Sequence, residues 1–169
     1  SKVQESLRTG GVCLTFDDAH IEDWHAALPL FREYNARVTF FISGFHTLNP
    51  RQIALLHRIQ ADGHEIGYHT VNHGNAIEYL QTHSVEEYVE TEIEPDLEAM
   101  RNSGFSTTAM AYPFNARTDV SDNAMSKYFS TLRTRTMDFE DALHELGETN
   151  LLRGLSMDLH FHGKQCPRI

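Results

Sequence analysis

Basic residues are scarce in this chain. Its 169 residues hold 14 Lys and Arg against 24 Asp and Glu, a formal net charge of −10. A nucleic-acid partner needs a basic footprint on which to neutralise phosphates, so this balance argues against one. A neutral or cationic substrate or product is compatible with it, but acidic surfaces are also simply soluble ones. Cysteine is almost missing. Cys13 and Cys166 are the two present, too few for a disulfide framework, and one buried and one surface thiol are expected. No stretch approaches the roughly 18 consecutive apolar residues of a membrane span. No signal peptide is visible, and the abrupt start at Ser1 is compatible with a leader removed ahead of it. Internal repeats, low-complexity segments and linkers are lacking too. With 40% hydrophobic and 22% charged residues, the chain reads as one soluble domain, residues 1–169, large enough for a real core.

What is there is an alternation of strands and helices. Val12–Phe16 is a continuous apolar run that predicts a first strand. Residues 22–34 follow as a helix with Trp24, Leu28 and Phe31 on one face, and Pro29 is expected to kink or break it. Val38–Ile42 reads as a second, buried strand. Asn49-Pro50-Arg51-Gln52 is a helix start, with a capping residue, proline in the first turn and Gln three residues after the cap. That helix runs to the turn at Asp62-Gly63. Glu65–His69 is a third strand. Ser84-Val85-Glu86-Glu87 is a capping box that opens a long helix to about Asn102, ended by Gly104. Thr107–Tyr112 predicts a fourth strand, Ser121–Tyr128 a helix, Phe129–Thr134 a fifth strand, Asp138–Leu146 a helix and Leu151–Phe161 a last strand. Such a pattern means an α/β fold, a mostly parallel sheet covered by helices. In that architecture working residues collect at the carboxyl ends of strands.

Asp17, Asp18, His69 and the turn after Tyr112 all fall at such ends. Neighbouring residues on a strand point to opposite faces, but where the backbone turns at a strand end both aspartates can reach one site. A divalent cation needs one carboxylate, and the other is then free to act as a general base. His69 and His73, four residues apart, share a face if the segment turns helically. One carboxylate and two imidazoles suit zinc, cobalt, nickel or manganese, and three protein ligands leave a position open for water. The competing readings are a helix-capping Asp-Asp pair and two solvent-facing histidines among the 11 in the chain. His20, His25, His46, His57, His64, His83 and His144 read as ordinary surface or packing residues.

Thr15-Phe16-Asp17-Asp18 and His69-Thr70-Val71-Asn72-His73 resemble the first two motifs of the polysaccharide deacetylase family (the NodB-homology domain, carbohydrate esterase family 4). Leu28-Pro29-Leu30-Phe31, Ala36 to Ile42 and Asp62 to His69 resemble the connecting segments, so the likeness extends from residue 11 to about 136. The resemblance implies a distorted (β/α) barrel and metal-dependent removal of acetyl groups from carbohydrate, usually from N-acetylglucosamine units. Carried onto this sequence, it makes Asp18, His69 and His73 the metal ligands, with zinc the foremost metal, and Asp17 the general base that activates the attacking water. The oxyanion donor falls on the backbone N–H of Phe114, in Ala111-Tyr112-Pro113-Phe114-Asn115. The partner it implies is an acetylated polysaccharide or oligosaccharide, at the cell envelope or outside the cell.

Two departures stand out. Ala111 occupies the position of an arginine that in the family orients the base aspartate, and Arg117, Arg133 and Arg135 are the candidates to replace it. The family's last motif, Leu-x-His, supplies the acid for the leaving group. Here the chain offers Asp158-Leu159-His160-Phe161-His162-Gly163, with His162 the better match and His160 the second. An edge strand with incidental histidines is the competing reading. Only seven residues follow His162 (163 to 169), so a barrel short of its closing elements is expected. If the motif is missing, the acid is missing and activity is reduced or lost. Three functions therefore compete: an N-deacetylase, an O-deacetylase on xylan-like sugars using the same site, and a carbohydrate-binding domain that keeps fold and metal without turnover. Trp24, Phe45, Tyr68, Tyr112 and Phe114 are the aromatics near strand ends that a sugar could meet, although the helical spacing of Trp24 with Leu28 and Phe31 assigns it to the core.

Overall fold

Six strands lie side by side in chain order, each parallel to the next. They are β1 (Leu14–Phe16), β2 (Val38–Ile42), β3 (Glu65–Tyr68), β4 (Ala109–Ala111), β5 (Thr131–Thr136) and β6 (Leu151–Leu155). The structure is a computed structural model and describes residues 11–137, 140–142 and 150–155. The crossovers carry helices α1 (Ile21–Ala26), α2 (Leu28–Glu33), α3 (Pro50–Ala61), α4 (Ala76–Tyr79), α5 (Val85–Tyr88), α6 (Glu94–Asn102) and α7 (Asp119–Met125). Among the described residues β1 and β6 do not pair with each other, so the sheet is open. It is also curled. In a flat sheet β1 and β5 would stand about 19 Å apart, four spacings of about 4.8 Å. Arg133 on β5 nevertheless contacts Asp17 just after β1, which only curvature allows. This is the expected α/β architecture, a half-barrel with helices outside.

Period-two alternation sorts the strand residues. Phe40, Ile42, Ile66, Tyr68, Met110, Tyr112 and Leu132 point to the helices and join one core with Trp24, Leu28, Phe31, Leu56, Ile59, Leu97 and Met100. Phe41, Ala109 and Ala111 form a separate cluster on the concave face. Gly67 belongs to that face as well. A Cβ there would stand 2.5 Å from the Phe41 ring, so the glycine is what lets Phe41 lie flat across β3. Local signals hold where they were strongest. Asn49 and Gln52 form the reciprocal capping box of α3, and Ser84 and Glu87 that of α5. Pro29 sits in the first turn of α2, just past the break at Ala27.

Several expectations need correction. β1 is shorter than the Val12–Phe16 run, and Val12, Leu14 and Phe16 are exposed, because β1 is an edge strand among the described residues. Cys13 is an exposed free thiol, and Cys166 lies outside the described residues. Helix α4, capped by the Asn75 side chain, was not anticipated. The long helix from Ser84 is interrupted by a π-helical turn at Val89–Ile93. Pro95 has no N–H to donate and crowds the preceding turn, so a regular helix cannot run through it. The Tyr68 hydroxyl donates to the carbonyls of Glu92 and Ile93, both at 2.8 Å. Thr118 caps α7 and starts it two residues before the expected Ser121. The predicted helix at 138–146 and the strand beyond 155 lie largely outside the described residues. No helix among the described residues is long and apolar enough to cross a membrane.

Of the histidines expected to be surface or packing residues, His64 is a packing one, buried against Phe31 and Phe40. Its Nδ1 accepts the Val38 amide at 3.3 Å, which puts the proton on Nε2. Burial lowers its pKa below the ordinary 6.5, against the pull of Asp62. The unfolded chain therefore takes up this proton first as pH falls. Stability is full above about 6.5 and declines as pH drops from there toward the lowered folded value. His64→Asn keeps an acceptor for Val38 and removes the titration. The metal-free variant should show a shallower loss of melting temperature between pH 6.5 and 5 than the parent.

Candidate active site

The carboxyl ends of β1 and β3 supply four polar side chains to one place. Asp17 and Asp18 follow directly on β1. Asp18 adopts a left-handed backbone, φ 80°, which short polar residues tolerate best. Its carbonyl accepts the Ser43 amide at 3.1 Å, tying the turn to the end of β2. His69 follows directly on β3, with its amide on the Ile42 carbonyl at 2.8 Å. The segment after it is not the helical turn that the four-residue spacing suggested. Thr70 and His73 are left-handed, φ 67° and 54°, and this reversal brings the second imidazole back beside the first. The rings lie edge to face with centroids 4.8 Å apart.

Asp18 Oδ1 is 3.2 Å from His73 Nε2 and 3.7 Å from His69 Nε2. One donor atom from each of the three residues lies within 4.8 Å of the others. The His69 ring is fixed by its far side. Nδ1 is 2.8 Å from the Ala111 carbonyl, which can only accept, so Nδ1 carries the proton and the Nε2 lone pair faces Asp18 and His73. Burial pushes the His69 pKa below its ordinary value, opposed by Asp17. The ring is therefore neutral at neutral pH, the form that ligates metal. A carboxylate and two imidazole nitrogens, one with its tautomer preset, fit a divalent metal of the zinc type.

The loop between the two histidines is held from behind. Glu92, on the π-helical turn, is buried and accepts the Asn72 amide at 2.9 Å and the Asn72 side chain at 2.8 Å. Val71 donates to the Glu92 carbonyl at 3.0 Å. Gly74 leaves room for this carboxylate, since a Cβ there would meet it at 3.2 Å. Sequence reading missed Glu92. The one available signal was Pro95, which marks where the helix departs from regularity.

Asp17 stands beside the cluster, its Oδ2 4.0 Å from His69 Nε2. Both of its oxygens contact Arg133 Nη2. Arg117, a second candidate for that role, is instead committed to Asp122 and Asp119. On the other side, Pro113–Asn115 forms a tight turn in which Phe114 and Asn115 are both left-handed, φ 55° and 58°. The Phe114 ring packs edge-on to His73 at 4.8 Å and is 65% exposed, so it is open to a ligand. Phe45, Tyr68 and Tyr112 are buried under the helices and cannot meet a sugar, while Trp24 is core as its spacing indicated. His160 and His162 lie outside the described residues.

Residues 5–131 match the family model described as polysaccharide deacetylase. The chain belongs to the polysaccharide deacetylase family. It is 40% identical over 63 residues to a peptidoglycan-N-acetylglucosamine deacetylase of Bacillus cereus, an alignment covering 37% of this chain and 29% of that protein. It is 26% identical over 143 residues to a chitin deacetylase of Arthroderma benhamiae, covering 84% and 38% respectively. The chain thus spans well under half the length of these curated relatives. Its fold matches IcaB from Ammonifex degensii with a TM-score of 0.71 at 18% identity, over 87% of this chain and 68% of that one. The curled parallel sheet is accordingly the distorted barrel of the polysaccharide deacetylase fold.

Proposed function

We propose that this chain is a metal-dependent hydrolase that removes acetyl groups from an N-acetylated polysaccharide of the N-acetylglucosamine type. The observation that carries the reading is the convergence of Asp18, His69 and His73 with a fourth polar group, Asp17, left outside the trio. Two of the four follow β1 and two lie in the loop after β3, and family membership gives this constellation a precedent. The domain is taken as residues 1–169.

Asp18, His69 and His73 would hold the metal, most favourably zinc, with cobalt, nickel or manganese compatible with the same donors. When bound, the metal supplies Lewis-acid polarisation of the acetyl carbonyl and lowers the pKa of water. The chain's own groups do the rest. Asp17 accepts the proton of the attacking water, its carboxylate held by Arg133 through both oxygens. The Phe114 backbone N–H donates to the oxygen on which negative charge develops. The exposed Phe114 ring offers a flat face against which the sugar can rest. Breaking the C–N bond releases acetate and requires a proton on the departing amine, for which His162, and next His160, are the candidates. Polymeric acetylated substrates of this kind place the site of action at the cell envelope or outside the cell.

The reading is tested by acetate release from N-acetylglucosamine oligomers and from acetylxylan, using metal-stripped protein with and without zinc. Zinc-dependent release from the oligomers is expected. Release from acetylxylan alone would turn the assignment to the O-acetyl ester. Stoichiometric zinc binding with no release from either would leave a carbohydrate-binding domain.

A further inference from the structure

The concave face of the sheet is built to let one arginine cross it. β4 and β5 run in a register that pairs Ala111 with Arg133, so the two side chains lie on the same face. The methyl of Ala111, with Ala109 and Gly67 nearby, keeps that face low. Phe41 fills the floor, and the Arg133 guanidinium lies over its ring, 5.3 Å from the centroid. From there Nη2 reaches both oxygens of Asp17, and Nη1 is 3.4 Å from Asn115 Oδ1. The next residue, Thr134, donates its hydroxyl to the Asn115 carbonyl at 3.1 Å. Asn115 is the second of the two left-handed residues that make the Phe114 turn. β5 therefore grips Asp17 with one hand and the Phe114 turn with the other.

We propose that Arg133 is the positioning residue of this site, orienting the Asp17 carboxylate and locking it to the Phe114 turn from β5. It replaces from the neighbouring strand an arginine that the family motif would place at Ala111. The inference rests on the deacetylase reading for its kinetic consequence. An arginine at 111 would enter the space the Arg133 side chain now crosses, so the two positions are alternatives. Arg133 touches none of Asp18, His69 and His73 in the contacts described, so its loss should act on turnover and spare the metal.

The experiment compares Arg133→Met, Arg133→Lys, Arg133→Ala and the double variant Ala111→Arg/Arg133→Ala. Readouts are kcat and KM for acetate release, zinc Kd by calorimetry, and crystal structures of the parent and Arg133→Met. A carboxylate displaced by about 1 Å costs on the order of 100-fold in rate, so kcat of Arg133→Met should fall by about that factor with KM little changed. Zinc Kd should stay within about threefold, since neither the ligands nor their hydrogen-bond partners are altered. Arg133→Lys should recover only part of kcat, because a point ammonium cannot reproduce the planar fork. The double variant should regain at least about tenfold over Arg133→Ala, the return of a charged hydrogen bond to Asp17. Crystals should show Asp17 turned away in Arg133→Met with Asp18, His69 and His73 in place. Parental kcat in Arg133→Met, or an unmoved Asp17, overturns the proposal. So does loss of zinc affinity together with no recovery in the double variant, which would mark Arg133 as merely structural. Should the parent itself release no acetate, the deacetylase reading fails, and the Asp17 position in the two crystals alone decides the role of Arg133.

Discussion

Asp17→Asn should abolish acetate release while leaving zinc binding almost untouched. The side chain keeps its size and one acceptor oxygen but can no longer take a proton at neutral pH. A positioned general base contributes about 10²- to 10⁴-fold, so kcat should fall by about 10³-fold. Metal binding should change little, because the proposed donor trio is Asp18, His69 and His73, and Asp17 Oδ2 stands at 4.0 Å from His69 Nε2. Calorimetric zinc affinity and acetate release, measured on one preparation, separate the two effects. A fully active Asp17→Asn would mean that another group takes the proton.

His69→Ala should lose both metal and turnover. His69 is 2% exposed, and its Nδ1 is anchored on the Ala111 carbonyl. Its removal deletes a preoriented donor and empties a buried volume. Zinc affinity should fall by more than about 100-fold, the upper range for losing even an outer partner of a ligand. The metal-free protein should also lose about 1–3 kcal/mol, from the broken hydrogen bond and the cavity. His73, with a third of its side chain exposed (34%), provides the contrast. Alanine there should weaken zinc with little change in the melting temperature of the metal-free protein. Equal stability losses at both positions would contradict the division between a buried, anchored ligand and a surface one.

The parts of this site legible in the sequence are those that local chemistry dictates. Asp17 and Asp18 announce themselves at the end of an apolar run, the capping boxes at Asn49 and Ser84 start their helices, and Pro29 breaks the first helix. Strand parity also carried information left unused. Tyr68 precedes His69 and Tyr112 follows Ala111, so both point to the helices if their neighbours point inward, and both are buried there. What was not legible depends on curvature and on backbone irregularity. The left-handed Thr70 and His73 produce the approach of the imidazoles; the β-branched Thr disfavours that backbone, and the tolerance of His for it does not single out His73 among the 11 histidines. The role of Glu92 depends on a π-helical turn. The reach of Arg133 to Asp17 spans four strand spacings and exists only because the sheet curls. Arginines alternating with Leu132 and Thr134 in a parallel strand were a signal that the concave face is polar, but not of which carboxylate they meet.

The most direct test of the central claim is the position of the metal. Crystals grown with zinc, measured on both sides of its absorption edge, should give an anomalous peak among Asp18, His69 Nε2 and His73 Nε2, at about 2.0–2.2 Å from each donor. Asp17 should lie outside that distance and still face Arg133. A fully occupied peak ligated by Asp17 in place of Asp18, or no peak at this cluster while zinc binds elsewhere on the chain, would contradict the account.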